Sequence, residues 1–306
     1  MRICYCQQLA AFLSVIMLAA WEARGQAPIP STDIYLTPIY PIDYSLKLSA
    51  VRNLTNRPGY DNQPSFLPDG KSLLYTSVRA DGQADIFQYR FADNTITQLT
   101  HTEESEYSPT IMPEGRHFSV VRVEKDSTQR LWKFPLASGA PSVVLEQVKP
   151  VGYHAWVDTN TVVLFVLGEP NTLQLANVRT GKSEAIQENI GRSLHKIPKR
   201  EAISFVHKIS ESEWTVKQCD LKSREVSVII PTLPGSEDYA WMPNGALLMA
   251  KGTQVFYCSP ERSRNWQMIA DFVPNLVDEG VDNITRLAVS PDGNWLALVA
   301  SDAVVK

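Results

Sequence analysis

Ten residues carry side chains that could do chemistry together: Tyr60, Asp61, His101, Glu104, Glu106, Tyr107, His154, Glu237, Asp238 and Tyr239. Converging carboxylates could hold Ca²⁺, a hard cation that takes oxygen ligands. Tyrosine and histidine beside them suit contact with a peptide or protein. The other reading is that these acids are simply solvated loop residues. Motifs that would specify a reaction are missing, with no G-x-S-x-G nucleophile elbow and no H-E-x-x-H zinc pair. The glycines sit in turns, not between a strand and a helix, so no phosphate cradle is expected. No catalytic residue is assigned and no cofactor is required, with Ca²⁺ in a central channel as the alternative. His117 and His207 read as ordinary strand or surface residues, and His195 falls in the least regular part of the sequence.

The elements that must position these residues follow from a repeat. Residues 62–100 contain four β-rich runs, at 63–67, 72–78, 85–90 and 95–100, separated by Pro68-Asp69-Gly70, Asp81-Gly82 and Ala92-Asp93-Asn94. Asp and Gly belong in such turns because they supply positive φ or a side chain that caps its own backbone. Pro113-Glu114-Gly115, Pro243-Asn244-Gly245 and Pro291-Asp292-Gly293 repeat the first turn. Third-strand segments beginning at Asp85, Arg130, Thr172, Thr215 and Gln254 align with an apolar second residue: Ile86, Leu131, Leu173, Val216 and Val255. Their spacing of 39 to 45 residues is that of four strands with turns.

A sixth unit is divided between the two ends. Residues 282–300 supply two strands, Asp33-Ile34-Tyr35-Leu36 resembles a third, and Leu46 to Thr55 ends in Asn53-Leu54-Thr55, echoing Gln98-Leu99-Thr100. Pairing the ends hides both edges of the array. The sequence therefore predicts an all-β, six-bladed propeller over residues 26–306, its last blade shared by about 282–306 and 33–55. The ten candidate residues then fall at or beside the connections from one blade's outer strand to the next blade's inner strand, around one mouth of the channel. Asp278 and Glu279 add to that rim.

Phe66-Leu67-Pro68-Asp69-Gly70, Leu73-Leu74-Tyr75-Thr76-Ser77, Asp85-Ile86-Phe87 and Gln98-Leu99-Thr100 resemble the TolB-like, WD-related propeller repeat, which reads roughly P-x-W-S-P-D-G, L-x-Y-x-S, D-I-Y and L-T. The last blade keeps Ser290-Pro291-Asp292-Gly293, whereas blades 3 and 4 match by spacing and strand character. The resemblance is specific for fold and hardly at all for function. No residues remain for the α/β domain that precedes the TolB propeller, so TolB's docking of an envelope lipoprotein is not implied. Related propellers also precede peptidase domains of the prolyl oligopeptidase type, an activity that is not expected from the residues after the last blade.

Residues 1–25 read as a secretory signal peptide: Arg2, an apolar run from Leu9 to Ala20, and Ala23-Arg24-Gly25 before a cut at Gln26. Thirty-three acidic against 29 basic residues argue against nucleic-acid binding, and no apolar run reaches the length of a membrane span. The expectation is an exported, periplasmic or secreted monomer without enzymatic activity, binding a protein or peptide of the cell envelope at the mouth. The alternatives are a lactonase-like metal-dependent hydrolase or lyase and a carbohydrate-binding propeller served by Tyr60, Tyr107, Tyr239 and Trp241. Cys219 and Cys258 occupy one column of adjacent blades, further apart than the roughly 7 Å Cα limit for a disulfide. Both are expected to be unpaired and buried.

Overall fold

The computed structural model describes residues 31–43, 45–49, 51–272 and 281–302. Residues 1–25, read above as a signal peptide, and Asp278 and Glu279 lie outside these residues. All regular structure among them is strand, in four-stranded antiparallel blades arranged around an axis. Blade 1 holds Tyr60–Phe66, Ser72–Val78, Ala84–Arg90 and Thr95–Gln98, close to the runs read from the sequence. Blades 2, 3, 4 and 5 begin with inner strands Ser105–Ile111, Val151–Trp156, Ile190–Lys196 and Tyr239–Trp241.

Blade 6 closes the ring. Its inner pair is Val281–Val289 and Trp295–Asp302, and the N-terminal strand Thr32–Ile42 joins as the third, with Ile34 opposite Val299 and Leu36 opposite Ala297. Arg52–Asn53 completes it, Asn53 opposite Tyr35. The echo between Asn53-Leu54-Thr55 and Gln98-Leu99-Thr100 has a physical basis. Asp85 accepts hydrogen bonds from the Thr100 hydroxyl at 2.9 Å and Gln98 Nε2 at 3.1 Å. Asp33 accepts the same pair from Thr55 at 2.6 Å and Asn53 Nδ2 at 2.9 Å. One side-chain clamp thus ties third to fourth strand in both blades.

Proline-containing turns join first to second strands. Gly70, Gly115, Gly245 and Gly293 adopt φ of 65°, 72°, 90° and 76°, the left-handed region that favours glycine. A Cβ at Gly115 or Gly245 would meet nothing within 4 Å, so backbone conformation alone selects glycine there. Asp69, Asn244 and Asp292 each accept the backbone N–H two residues on, at 2.9, 3.0 and 3.1 Å.

The core is divided among the blade interfaces. Six buried apolar clusters occur, one between each adjacent pair of blades. Tyr35, Leu248 and Leu298 join blades 5 and 6, while Ile34, Leu73 and Val299 join blades 6 and 1. Second strands have neighbours on both faces, which is why Leu73-Leu74-Tyr75 or Val162-Val163-Leu164 runs apolar without alternation. Cys219 and Cys258 are free thiols buried in this packing, as expected from their shared column.

Candidate functional site

The inner strands begin earlier than the sequence indicated. Tyr60, Asp61, Glu106, Tyr107, His154 and Tyr239 lie within inner strands, while His101, Glu104, Glu237 and Asp238 precede them. The physical reason is a bulge. In blades 1 and 2 the pairing skips between Asn62 and Ser65 and between Tyr107 and Thr110, with Gln63 and Ser108 at positive φ. A strand interrupted in this way reads as loop on its N-terminal side.

The carboxylates of this mouth are engaged by cations. Asp61 is fully buried and accepts Arg57 at 2.8 Å; burial pushes its carboxyl up, against the Ser77 hydroxyl and Arg57. Glu106 holds the equivalent place in blade 2, also fully buried, and accepts Arg122 Nε at 3.0 Å and the Thr102 hydroxyl at 2.6 Å. Burial raises its carboxyl too. Glu104 meets the same guanidinium at 3.1 Å. Glu237 is 2.9 Å from Lys208 Nζ, and Asp238 is 2.6 Å from Arg192. His101 is exposed on the connection between blades 1 and 2. Asp61 and Glu106 belong to different blade interfaces and share no ligand position. Among the described residues no three His, Cys, Asp or Glu side chains group as a metal set. Each of these acids is already held by a guanidinium or ammonium group.

The inner strands of all six blades wall a cavity of about 540 Å³. Gln63, Ser108, Tyr153, Arg192, Asp238 and Arg286 ring it at one mouth; Ser65, Thr110, Ala155, His195, Ala240 and Ala288 follow inside, and Pro113, Pro198 and Pro291 lie at the turns beyond. Arg192 reaches Asp238 through Nε at 2.8 Å and donates to the Thr285 carbonyl at 3.1 Å. Burial is the largest single influence and works against its charge, but Asp238 and Glu237 together more than offset that. Arg286 donates to the Tyr153 hydroxyl at 2.9 Å and lies 5.0 Å from that ring's centre. Tyr60 stands among these groups, its phenol pushed up to about 12 by burial, with Arg286 the largest opposing influence. Burial raises Tyr107 as well.

Two histidines flank the cavity. His154 Nε2 lies 2.7 Å from Ser119 Oγ, which also accepts the Trp156 indole N–H at 2.8 Å. Blade 5 repeats the device: the Tyr239 hydroxyl and the Trp241 indole N–H both donate to Ser204 Oγ at 2.8 Å. Trp156, Trp241, His154 and Tyr239 are therefore fixed by blade packing. His195 Nε2 is 3.0 Å from Ser193 Oγ, its ring edge-on to Tyr239. Burial lowers His154 to about 3 and His195 to about 4, leaving both rings neutral near pH 7. Arg192, Arg286, Tyr153 and His195 were missed by reading carboxylates in loops. Period-two alternation along each inner strand, counted from the bulge, is the signal that finds them.

A model of the TolB β-propeller domain matches residues 35–185. A curated relative, dipeptidyl-peptidase 5 of Porphyromonas gingivalis, is 27% identical over 187 residues, covering 56% of this chain and 25% of the relative. The match thus spans about a quarter of that enzyme's length. The solved structure of a protein assigned as TolB in Agrobacterium tumefaciens is 14% identical with a TM-score of 0.70, covering 90% of this chain and 99% of its own. An oligogalacturonate lyase in complex with manganese reaches a TM-score of 0.55 at 14% identity, over 83% and 80% of the two chains. At such identities the two structures share a fold with this chain, and no more than that follows. The domain match, the repeat and the closed ring agree: residues 35–185 belong to the TolB β-propeller domain family, and the chain has the fold of a TolB-like propeller.

Proposed function

We propose that this protein is an exported binding propeller that takes a protein or peptide segment of the cell envelope into the mouth of its central channel, without catalysing a reaction. The supporting observation is the cavity itself. Six inner strands present arginines, a carboxylate and a tyrosine at its mouth and, inside, small side chains with one histidine, His195. Such a concave surface with a few placed polar groups is what ligand sites share. Among the described residues, neither of its neutral, desolvated histidines has the hydrogen-bonded acid partner that would orient a general base.

The test occludes the channel while leaving its charged mouth intact. Ser65→Trp or Thr110→Trp places an indole among the small residues. Affinity capture from envelope fractions should lose the partner with either variant and keep it with a substitution on an outer strand, such as Thr97→Ala. Unchanged capture would refute binding in the channel. The competing reading, a metal-dependent lyase or hydrolase, is decided by metal analysis of the purified protein: stoichiometric Ca²⁺ or Zn²⁺ would favour it.

A further inference from the structure

We infer that the channel mouth recognises a carboxylate, and that the ligand group is the free C-terminus of an extended peptide anchored on Arg286. The inference rests on the channel-binding reading above and names its ligand. The argument is a balance of charges among the described residues. Asp238 receives the Arg192 fork, through Nε at 2.8 Å and the terminal nitrogen at 2.6 Å. Glu237 is paired with Lys208 at 2.9 Å and accepts the backbone N–H of Arg192 at 3.3 Å. Each carboxylate has its own cation, and Arg286 is left over.

Arg286 is only 13% exposed, and the nearest acidic oxygen of the described residues, on Asp238, is 3.8 Å away, beyond hydrogen-bond distance. Its bond to the Tyr153 hydroxyl uses one of five N–H donors. A guanidinium this desolvated and this sparsely bonded is costly unless an anion completes it. Its fork geometry fits a carboxylate in two-point contact, and Arg192 adds positive charge on the same side. A chain end can enter such a channel lengthwise. An Asp or Glu side chain would instead require the main chain to lie across the mouth.

The probes are two pools of fluorescein-labelled octapeptides of the same randomised composition, one ending in a free acid and the other amidated. The wild-type chain should retain the acid pool about tenfold more than the amide pool, as expected for one charge-assisted contact. Arg286→Gln should bring that ratio to about one, and Arg286→Lys should keep part of it, each with unchanged near-ultraviolet circular dichroism. Equal retention of both pools by the wild type, or retention of neither, overturns the inference whatever the variants do. If equal retention is abolished by Ser65→Trp, the channel still binds peptide and only the carboxylate anchor fails. If Ser65→Trp leaves retention and envelope capture unchanged, the channel reading fails with it. A trimer of galacturonate that binds through Arg286 when no free-acid peptide does would assign the anchor to a uronate and overturn the peptide.

Discussion

Replacing His154 with glutamine should flatten the acid limb of the stability curve. The imidazole is 8% exposed, its Nε2 meets Ser119 Oγ at 2.7 Å, and burial lowers its pKa from the usual 6.5 to about 3. The folded-state pKa lies below the unfolded one, so the unfolded chain takes up the proton first as pH falls. The contribution to stability is therefore complete above about pH 6.5 and is lost progressively toward pH 3. Between pH 7 and pH 5 the linkage amounts to about 2 kcal/mol for a shift of this size. Urea denaturation of wild type and His154→Gln at the two pH values measures it. Wild type should lose about 2 kcal/mol more than the variant over that interval, and other titrating groups cancel in the difference. Parallel losses in the two proteins would show that the ring keeps an ordinary pKa. That result would return His154 to the list of groups able to exchange protons with a ligand.

Three further outcomes test the packing around the channel. Ser119→Ala leaves the Trp156 indole N–H without its acceptor and should cost about 2 kcal/mol in urea midpoint analysis, with Ser204→Ala costing a similar amount through Trp241. Cys219 and Cys258 are buried with thiols pushed up by burial, Cys258 to about 11, so neither should react with a thiol reagent in the native chain, and both should react after urea. Ile34 is fully buried in the interface of blades 6 and 1, and Ile34→Ala should cost about 3 kcal/mol and speed hydrogen exchange in Trp295–Asp302.

The turns made this fold readable. Gly70, Gly115, Gly245 and Gly293 lie at the same step of their blades because the chain there needs positive φ, and a repeat of that step counts blades directly. The ending Asn53-Leu54-Thr55 was equally informative, since the same aspartate clamp recurs beneath Gln98-Leu99-Thr100. The mouth was harder to read. Asp61 and Glu106 look like solvated acids, yet their partners Arg57, Ser77 and Arg122 come from another strand or connection. Sequence order gives no hint of a pairing that depends on register across a bulge. Arg286 was hidden for a related reason: its place in the channel depends on the pairing slip between Ile284 and Arg286.

Ring closure sets an order of events in time. Ile34 pairs with Val299, so one of the first strands to be synthesised can lock only after nearly the whole chain is present. Blades 1 to 5 are built from contiguous segments and can form as each is completed. Among the described residues, the joint that seals the ring has the longest sequence separation of any strand pair and carries the largest loop-closure cost. Until it forms, the apolar faces of blades 1 and 5 that meet blade 6 stay open, and one half-made molecule can pair with another's free strand. Such a chain should depend most on protection from aggregation during this last step. A destabilised closing strand would appear as lost yield before it appeared as lost binding.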